Sequence, residues 1–258
     1  MRHGTTAIRV ELVGGTARAT LLHGGTYLRP RLLETMGNRV RVALVGSYAT
    51  LLAGDDVVID IEVGAGVHLD VVEPTAMVAY AADDVPAQWA ASLRVATGAR
   101  LTWNAASFVV ATGANVTRRT DVDLDNGAVA LLAETLVLGR TDERGGRLHS
   151  TQHTAVAGTE LLVEELDLGD VGQRAAPGIL GDSRVVATTT LLGARAPGPL
   201  AEHETHLAGP GALARATTRR AHEATARLAD TWHRWYRCVA DESNPVPDSS
   251  MIVGDSVP

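Results

Sequence analysis

The stretch "LLAGDDVVIDIEVGAGVHLDVVEPTA", residues 51–76, decides the fold. In its central run, 57–63, apolar residues occupy every odd position, and Asp60 and Glu62 stand between them. This period of two is typical of a strand with one buried face. A Gly-Asp turn precedes the run, and a Gly-Ala-Gly turn leads from it into a second apolar run. The stretch therefore predicts consecutive strands that are joined by glycine turns.

Glycine turns and strand patterns alternate along most of the chain. Gly-Ala dipeptides begin at Gly98, Gly113 and Gly127, at intervals of 15 and 14 residues. A nearly constant interval indicates strands stacked coil upon coil, but a meandering sandwich with hairpins of similar length gives the same spacing. The sequence thus predicts a mainly β protein and leaves these two arrangements open. The further predicted strands are residues 39–45, 99–103, 107–110, 116–124, 128–138, 147–156, 160–168 and 183–192.

Helix is predicted only near the end of the chain. Residues 218–240 carry apolar side chains at intervals of three and four, with arginines on the other faces. The last eighteen residues, 241–258, are rich in Pro, Ser and Asp, which predicts a disordered tail after a single domain over 1–240. The remaining segments are predicted to be loops, namely 83–92, 172–182 and 193–202. A helical turn is the alternative for 83–92.

The composition excludes several classes of function. The chain has 258 residues, a net charge of −7 and 23 basic residues, all of them arginine. Without lysine there is neither the P-loop of an ordinary GTPase nor Schiff-base or pyridoxal-phosphate chemistry. A single cysteine, Cys238, excludes an internal disulfide and a thiolate metal cluster. The negative charge disfavours nucleic acid and anionic membranes as partners, and the lack of a signal peptide or a spanning apolar run predicts a cytoplasmic protein.

Acidic residues give the first candidate site. The adjacent Asp55 and Asp56 suggest catalysis or metal binding, but neighbouring residues of a strand point to opposite faces. The plainer interpretation is a turn in which the aspartate bonds to its own backbone. Glu134 and Glu164 lie in apolar strand patterns, where a charge is costly unless it is paired or functional. Arg140 is the nearest candidate partner for Glu134 along the sequence.

Histidines support only a weaker hypothesis. His203 and His206 are three residues apart, whereas the metalloprotease helix needs a spacing of four, so a solvated loop or strand is favoured. His149 and His153 share one face of a predicted strand. A metal-dependent hydrolase that uses this pair on a β scaffold is therefore the enzymatic alternative.

The ordered set of these motifs resembles the UreD (UreH) family of urease accessory proteins, over about residues 40–240. The resemblance begins at Gly54-Asp55 and its strand, and continues through three Gly-Ala strands. The family's Glu-x-x-x-x-Gly-Arg element falls on Glu134, Gly139 and Arg140, and a later strand glutamate matches Glu164. The chain departs from the family pattern at three places: Ala-Gly precedes the aspartate, no Gly-Glu follows Gly-Arg, and "NAASF" replaces a Pro-rich stretch.

The resemblance implies a fold and a role. The family fold is a β-helix-like stack with a C-terminal helix and few others. Its members are non-enzymatic and form a scaffold with a UreF-like helical protein and a UreG-like GTPase, which docks on apo-urease and promotes nickel delivery. No cofactor is bound permanently, nickel is transient, and GTP is used by the partner. A pure interaction module without a metal path is the second alternative.

The resemblance also implies which residues matter. An internal polar channel gives buried carboxylates a purpose, because nickel in transit needs weak serial oxygen or imidazole sites. The expected metal-path residues are Asp55, Glu134, Arg140 and Glu164, with no tightly bound metal, and Gly54 and Gly139 are expected to be structural. The expected partner contacts lie in the loop 172–182 and the last helix, namely Gly178, Arg219, Trp232 and Trp235, although packing is the plainer role for the tryptophans.

Overall fold

Four successive coils of the chain build the molecule, and each coil contributes one strand to each of two facing sheets. A computed structural model describes residues 3–81 and 85–240. Two helices are described, α1 (Val171–Arg174) and α2 (Ala221–Val239). The described strands are β1 (His3–Val13), β2 (Thr16–His23), β3 (Leu28–Met36), β4 (Arg39–Gly46), β5 (Thr50–Leu51), β6 (Asp56–Val63), β7 (His68–Val72), β8 (Met77–Ala79), β9 (Ala87–Val95), β10 (Arg100–Val110), β11 (Asn115–Leu124), β12 (Val129–Leu138), β13 (Arg147–Val156), β14 (Thr159–Asp167), β15 (Val185–Leu192), β16 (Glu204–His206) and β17 (Gly211–Thr218).

The two sheets have parallel centres and antiparallel ends. The seven-stranded sheet has the order β14-β13-β11-β9-β6-β1-β2. The ten-stranded sheet follows β16-β17-β15-β12-β10-β7-β4-β3, with β5 and β8 as a short branch beside β10. Pairing is parallel from β1 to β13 in the first sheet and from β4 to β12 in the second. The architecture is therefore a β-solenoid.

The register of the parallel strands explains the regular glycine spacing. Arg39, His68, Arg100 and Val129 pair in one row across four strands, so each coil returns to the same level. The glycines at 98 and 127 turn into β10 and β12 at one corner of successive coils, and the glycine at 113 turns into β11 at the opposite corner. All three have positive φ, which glycine adopts most readily. The intervals of 15 and 14 residues are half-coils, and the coil-upon-coil prediction is confirmed.

The main core lies between the sheets. In β6 the odd residues Val57, Ile59, Ile61 and Val63 are buried, and the residues between them are half-buried, as their alternation predicts. The inward residues of β9, β10 and β12 complete this layer. The core is made mostly of valine, leucine and alanine, and two tryptophans and a phenylalanine stand out in it, at Trp89, Trp103 and Phe108.

Three local expectations from the sequence differ from the structure. The segment 83–92 was expected to be a loop or helical turn, but its part from Ala87 onward belongs to β9; residues 83 and 84 lie outside the described part. Pro86 and a run of small residues hide an alternation in which Trp89 and Leu93 point inward. The runs 99–103 and 107–110 form one strand, β10, interrupted by a bulge, and α1 occupies the start of the loop 172–182. The tail 241–258 also lies outside the described residues.

Helix α2 covers the outer face of the ten-stranded sheet, as the apolar periodicity of 218–240 predicts. Leu228, Trp235 and Val239 pack on alanines and valines of β12, β15 and β17. Small side chains on the sheet allow the helix to approach closely. Neither described helix has the length and apolarity needed to cross a membrane.

A buried carboxylate fixes this helix to the sheet. Glu204 at the start of β16 accepts hydrogen bonds from the Thr231 hydroxyl (2.6 Å), from the Ala201 N–H (3.0 Å) and from the Arg234 guanidinium. Burial opposes ionisation of Glu204, but these donors outweigh it and lower the pKa of the carboxyl. The side chain has no exposed surface, so each of these bonds is desolvated.

We expect Glu204→Gln to lower the free energy of unfolding by about 3 kcal/mol, because it leaves Arg234 without its buried counter-charge. Since the folded-state pKa is lowered, the stabilisation is fully present above the ordinary value of 4.5 and disappears as the pH falls through the folded pKa. Urea unfolding at pH 7 and at acidic pH checks both points. Glu202→Gln, an exposed neighbour, is the control and should change neither.

Candidate functional site

Polar side chains form a row across the inner face of the ten-stranded sheet. Glu134 on β12 pairs in register with Thr188 on β15, and Thr188 pairs with Arg215 on β17. On β12, Leu132 and Leu136 flank Glu134 on this face, and on β15 Val186 lies beside Thr188. A row that runs from strand to strand lies parallel to the solenoid axis, and neighbouring strands are about 4.8 Å apart. The polar row therefore follows the interior lengthwise.

Arg118 reaches this row from β11 of the facing sheet. Its Nη1 lies 3.0 Å from Glu134 Oε2, and its guanidinium stacks 4.1 Å from the Trp89 ring centre and 5.0 Å from that of Phe108. Arg118 is only 5% exposed, and its buried Nε has no hydrogen-bond partner. The internal glutamate–arginine pair expected from the sequence exists, but with Arg118 and not with Arg140.

Glu164 marks the far end of the row. It projects from β14 of the seven-stranded sheet, and its Oε2 lies 2.7 Å from Nη2 of Arg215 on the opposite sheet. Arg215 also donates from Nε to the Thr188 hydroxyl, at 3.2 Å. The ion pair thus bridges the two sheets beside the antiparallel strands. Through Arg215 and Thr188, it links Glu164 to the part of the row that contains Glu134.

Glu73, which directly follows β7, brings a third carboxylate that the sequence reasoning missed. Its Oε1 accepts a hydrogen bond from Trp103 Nε1 at 2.9 Å, and its carboxyl accepts another from the Ala106 N–H in the β10 bulge. Burial raises the pKa of Glu73 to about 7, against the opposing effects of Trp103, the charge of Arg118 and Ala106. The available signal was an acid that immediately continues the buried run 68–72.

Two cavities meet at Glu134. A cavity of about 40 Å³ lies between the sheets, beside Trp89, Trp103 and Arg118. A wider pocket of about 330 Å³ lies between the ten-stranded sheet and α2. Glu134 and Thr188 line both. The β10 bulge lies opposite Glu134 and interrupts the ladder at this point.

The donor atoms around the inner cavity suit a weakly held cation. Thr120, Gln152 and Thr190 add hydroxyl and amide oxygens to the Glu134 carboxylate. Oxygen donors bind hard and borderline divalent ions, and a site in which the carboxylate already has an arginine partner binds them weakly. Within 3–81 and 85–240, no cluster of three His, Cys, Asp or Glu side chains is placed to hold a metal tightly.

Asp55 lies away from this row, at the turn before β6. Its Oδ2 accepts the Leu52 N–H at 3.0 Å, its own N–H donates to Leu52 O, and its carbonyl accepts the Gln88 N–H at 2.8 Å. Gly54 before it has a φ of 73°. Asp56 points outward and bonds His3 Nδ1 at 2.7 Å. The geometry is that of a turn that also attaches β6 to the next coil.

Arg140 lies at the surface just beyond β12. It pairs with Glu143 at 2.6 Å and stacks 5.1 Å from the Tyr80 ring centre. Gly139 has a φ of 89°, and a Cβ there would lie 2.7 Å from both Glu143 O and Gly145 N. Arg140 therefore belongs to a surface loop closure, for which only glycine fits at 139.

The residues expected to contact partners differ in how exposed they are. Trp235 is fully buried between α2 and the ten-stranded sheet, so packing is its role in the folded chain. Trp232 is half-buried, lines the wider pocket and stacks on Tyr236 with ring centres 5.9 Å apart. Arg219 is exposed and pairs with Asp182, and Gly178 lies in the same exposed loop as Asp182.

The histidines of the enzymatic alternative do not converge. His149 Nε2 lies 3.6 Å from Glu165 Oε1 on the outer face of the seven-stranded sheet, and His153 is exposed on the same strand. His203 Nε2 donates to the Thr231 hydroxyl at 3.0 Å, because the hydrogen of that hydroxyl goes to Glu204, and His206 is exposed. They contribute to surface and helix contacts.

Comparison with known proteins identifies the family. A family model described as "UreD urease accessory protein" matches residues 3–249. A protein of Streptomyces griseus named "Urease accessory protein UreD 1" is 44% identical over 231 residues, which are 89% of this chain and 91% of that protein. Proteins named "Urease accessory protein UreD" from Parafrankia sp. and Rhizobium rhizogenes are 35% and 34% identical, covering 72% and 74% of this chain and 71% and 70% of theirs.

The chain belongs to the UreD family of urease accessory proteins. UreD proteins are non-catalytic factors of urease maturation, so the polar row is not an active site. The match begins at residue 3 and so includes β1 to β3, which precede the part of the chain whose motifs resemble the family.

Substitutions at Asp55 separate a turn from a metal contact in this UreD-family chain. Asp55→Ala should cost about 1–2 kcal/mol of unfolding free energy, because the Leu52 N–H loses its acceptor. Asp55→Asn keeps an oxygen acceptor but removes the charge, so it should retain most of the stability and most of the urease activation. Thermal unfolding and urease activity in cells check this; a loss of activation in a stable Asp55→Asn variant would contradict the turn role.

Proposed function

We propose that this chain is the scaffold through which Ni²⁺ reaches apo-urease, and that the ion passes between the two sheets along the polar row. The observation that carries the proposal is the placement of Glu134 and Glu164 inside the solenoid, each paired with an arginine of the facing sheet. An ion pair of this kind needs a reason, because apolar side chains of similar volume would cost less to bury. Conducting a cation is such a reason.

The chemistry of the row suits transit better than storage. Each carboxylate shares its charge with a guanidinium, and hydroxyls of Thr188 and Thr190 lie between. A passing ion needs sites that are strong enough to enter and weak enough to leave. Serial carboxylates with competing arginines meet this requirement, and the Trp- and Leu-lined walls restrict water. Nickel is therefore a cargo here and not a resident cofactor.

The proposed partners are inferred from the absence of lysine in the chain and from its exposed surface. It has no lysine, so we assign GTP hydrolysis to a UreG-like partner. A UreF-like helical protein and apo-urease complete the proposed cytoplasmic assembly. The exposed loop around Gly178, with Ile179 53% exposed, and the neighbouring Arg219 at the start of α2 are the proposed contact surface.

We expect the double variant Glu134→Gln and Glu164→Gln to lower urease activation in cells by about tenfold, because it removes the anionic sites while nearly preserving side-chain shape. Urease should still assemble, and metal analysis of the purified enzyme should find it poor in nickel. Glu165→Gln, next to Glu164 but on the exposed face, is the matched control and should activate normally.

The same double variant distinguishes a path from a pure interaction module. It should still co-purify with the UreF-like and UreG-like partners and with apo-urease, since the substituted groups lie inside. Normal activation by a variant that forms the complete complex would rule out the path and leave the module. Loss of the complex would instead show that the two ion pairs are needed for the fold or for assembly.

A further inference from the structure

The inner cavity holds a charge arrangement that the proposed path does not by itself explain. Arg118 comes from β11, is 5% exposed, and fills the space beside Glu134 with its guanidinium. Its Nε is buried without a hydrogen-bond partner, so the group is incompletely satisfied where it lies. The guanidinium is thus placed by charge and by stacking on Trp89, and only partly by hydrogen bonds.

Glu73 adds a second carboxylate to the same environment. It bonds Trp103, which lines the cavity, and the backbone of the β10 bulge, whose Ala105 also lines it. Arg118 is the guanidinium whose charge acts on Glu73 and which pairs with Glu134. The single positive charge of Arg118 therefore acts on two half-buried carboxylates, which is one charge fewer than they carry when both are ionised.

We propose that Arg118 is a displaceable counter-ion, and that a divalent cation binds the Glu134 carboxylate by taking its place, with Glu73 supplying the balancing second negative charge. This inference rests on the proposed function, because it names the group that controls the entry of the cation at that site. The cavity of about 40 Å³ is too small for a fully hydrated ion, so the ion exchanges waters for the oxygens of Glu134, Gln152 and Thr188. Displacement of Arg118 breaks the hydrogen bond from its Nη1 to Glu134, whose oxygen then becomes available to the ion.

The test is a titration of the purified full-length chain with nickel chloride, followed by calorimetry and by quenching of tryptophan fluorescence. Trp89 and Trp103 line the cavity and report on it directly. Arg118→Met keeps the length and apolar contacts of the side chain and removes its charge. We expect it to bind Ni²⁺ about tenfold more tightly than the wild type, since the competing occupant is gone. Adding Glu73→Gln to Arg118→Met should abolish the gain.

The neighbouring arginine supplies the control. Arg119 lies on the same strand, points outward and pairs with Asp121 at 2.7 Å, so Arg119→Met should leave the affinity unchanged. Unchanged or weaker binding by Arg118→Met, or an equal gain by Arg119→Met, would overturn the inference. If Arg118→Met does not fold, Arg118→Lys keeps the charge but loses the planar stack on Trp89. It should bind Ni²⁺ more tightly by a smaller factor, and weaker binding there would equally overturn it.

This experiment is independent of urease. Tighter Ni²⁺ binding by Arg118→Met, together with normal urease activation by the Glu134/Glu164 double variant, would support the cation site and reject the path. Unchanged binding by Arg118→Met, together with failed activation by the double variant, would reject the counter-ion role and support the path.

Discussion

The parallel register between successive coils is the constraint on which the rest of the structure depends. Each coil pairs residue by residue with the next, so a position on one strand meets its equivalent about 4.8 Å further along the axis. Apolar positions therefore form continuous apolar rows, and turn glycines stack above one another at the corners. The antiparallel strands β15 and β17 extend this lattice, so the row of Glu134 continues into Thr188 and Arg215.

Placing the polar row between apolar rows costs free energy, and charged side chains from the facing sheet offset that cost. Glu134 and Glu164 each lie on the inner face of one sheet and pair with a guanidinium from the other sheet, that of Arg118 or Arg215. The bulge in β10 has a part in this, because it turns the Ala106 N–H towards Glu73. The irregular register of β10 and the charged residues between the sheets thus occur at the same place.

An element could be predicted from the sequence when the residues that determine it are close neighbours along the chain. Alternation within 57–63 and the periodicity of α2 are local, and both elements were predicted. The β9 strand was missed because Pro86 and small residues mask its alternation, and β1 to β3 carry weaker patterns with many exposed positions. The partner of Glu134 is Arg118, sixteen residues earlier, and only the facing of the two sheets brings them together.

The family resemblance had the same limit. It identified Glu134 and Glu164, which the structure places inside, together with Asp55 and Arg140, which it places at a turn and at the surface. Residues of one sequence motif need not lie close together in space. Gly139 and its neighbours close a loop, whereas Glu134, five residues earlier, faces the core.

The order of charges along the row connects fold to function. From β7 towards β17 and β14 it reads Glu73, Arg118, Glu134, Arg215 and Glu164, alternating in sign with three carboxylates to two guanidiniums. Alternation keeps each charge near an opposite one, which offsets the cost of its partial burial. The excess of one carboxylate means that the two guanidiniums leave one negative charge uncompensated when all three acids are ionised. A row of this composition is more favourable to an added cation than to an added anion. On the proposed path, an ion would have to compete with Arg118 at Glu134 and with Arg215 at Glu164.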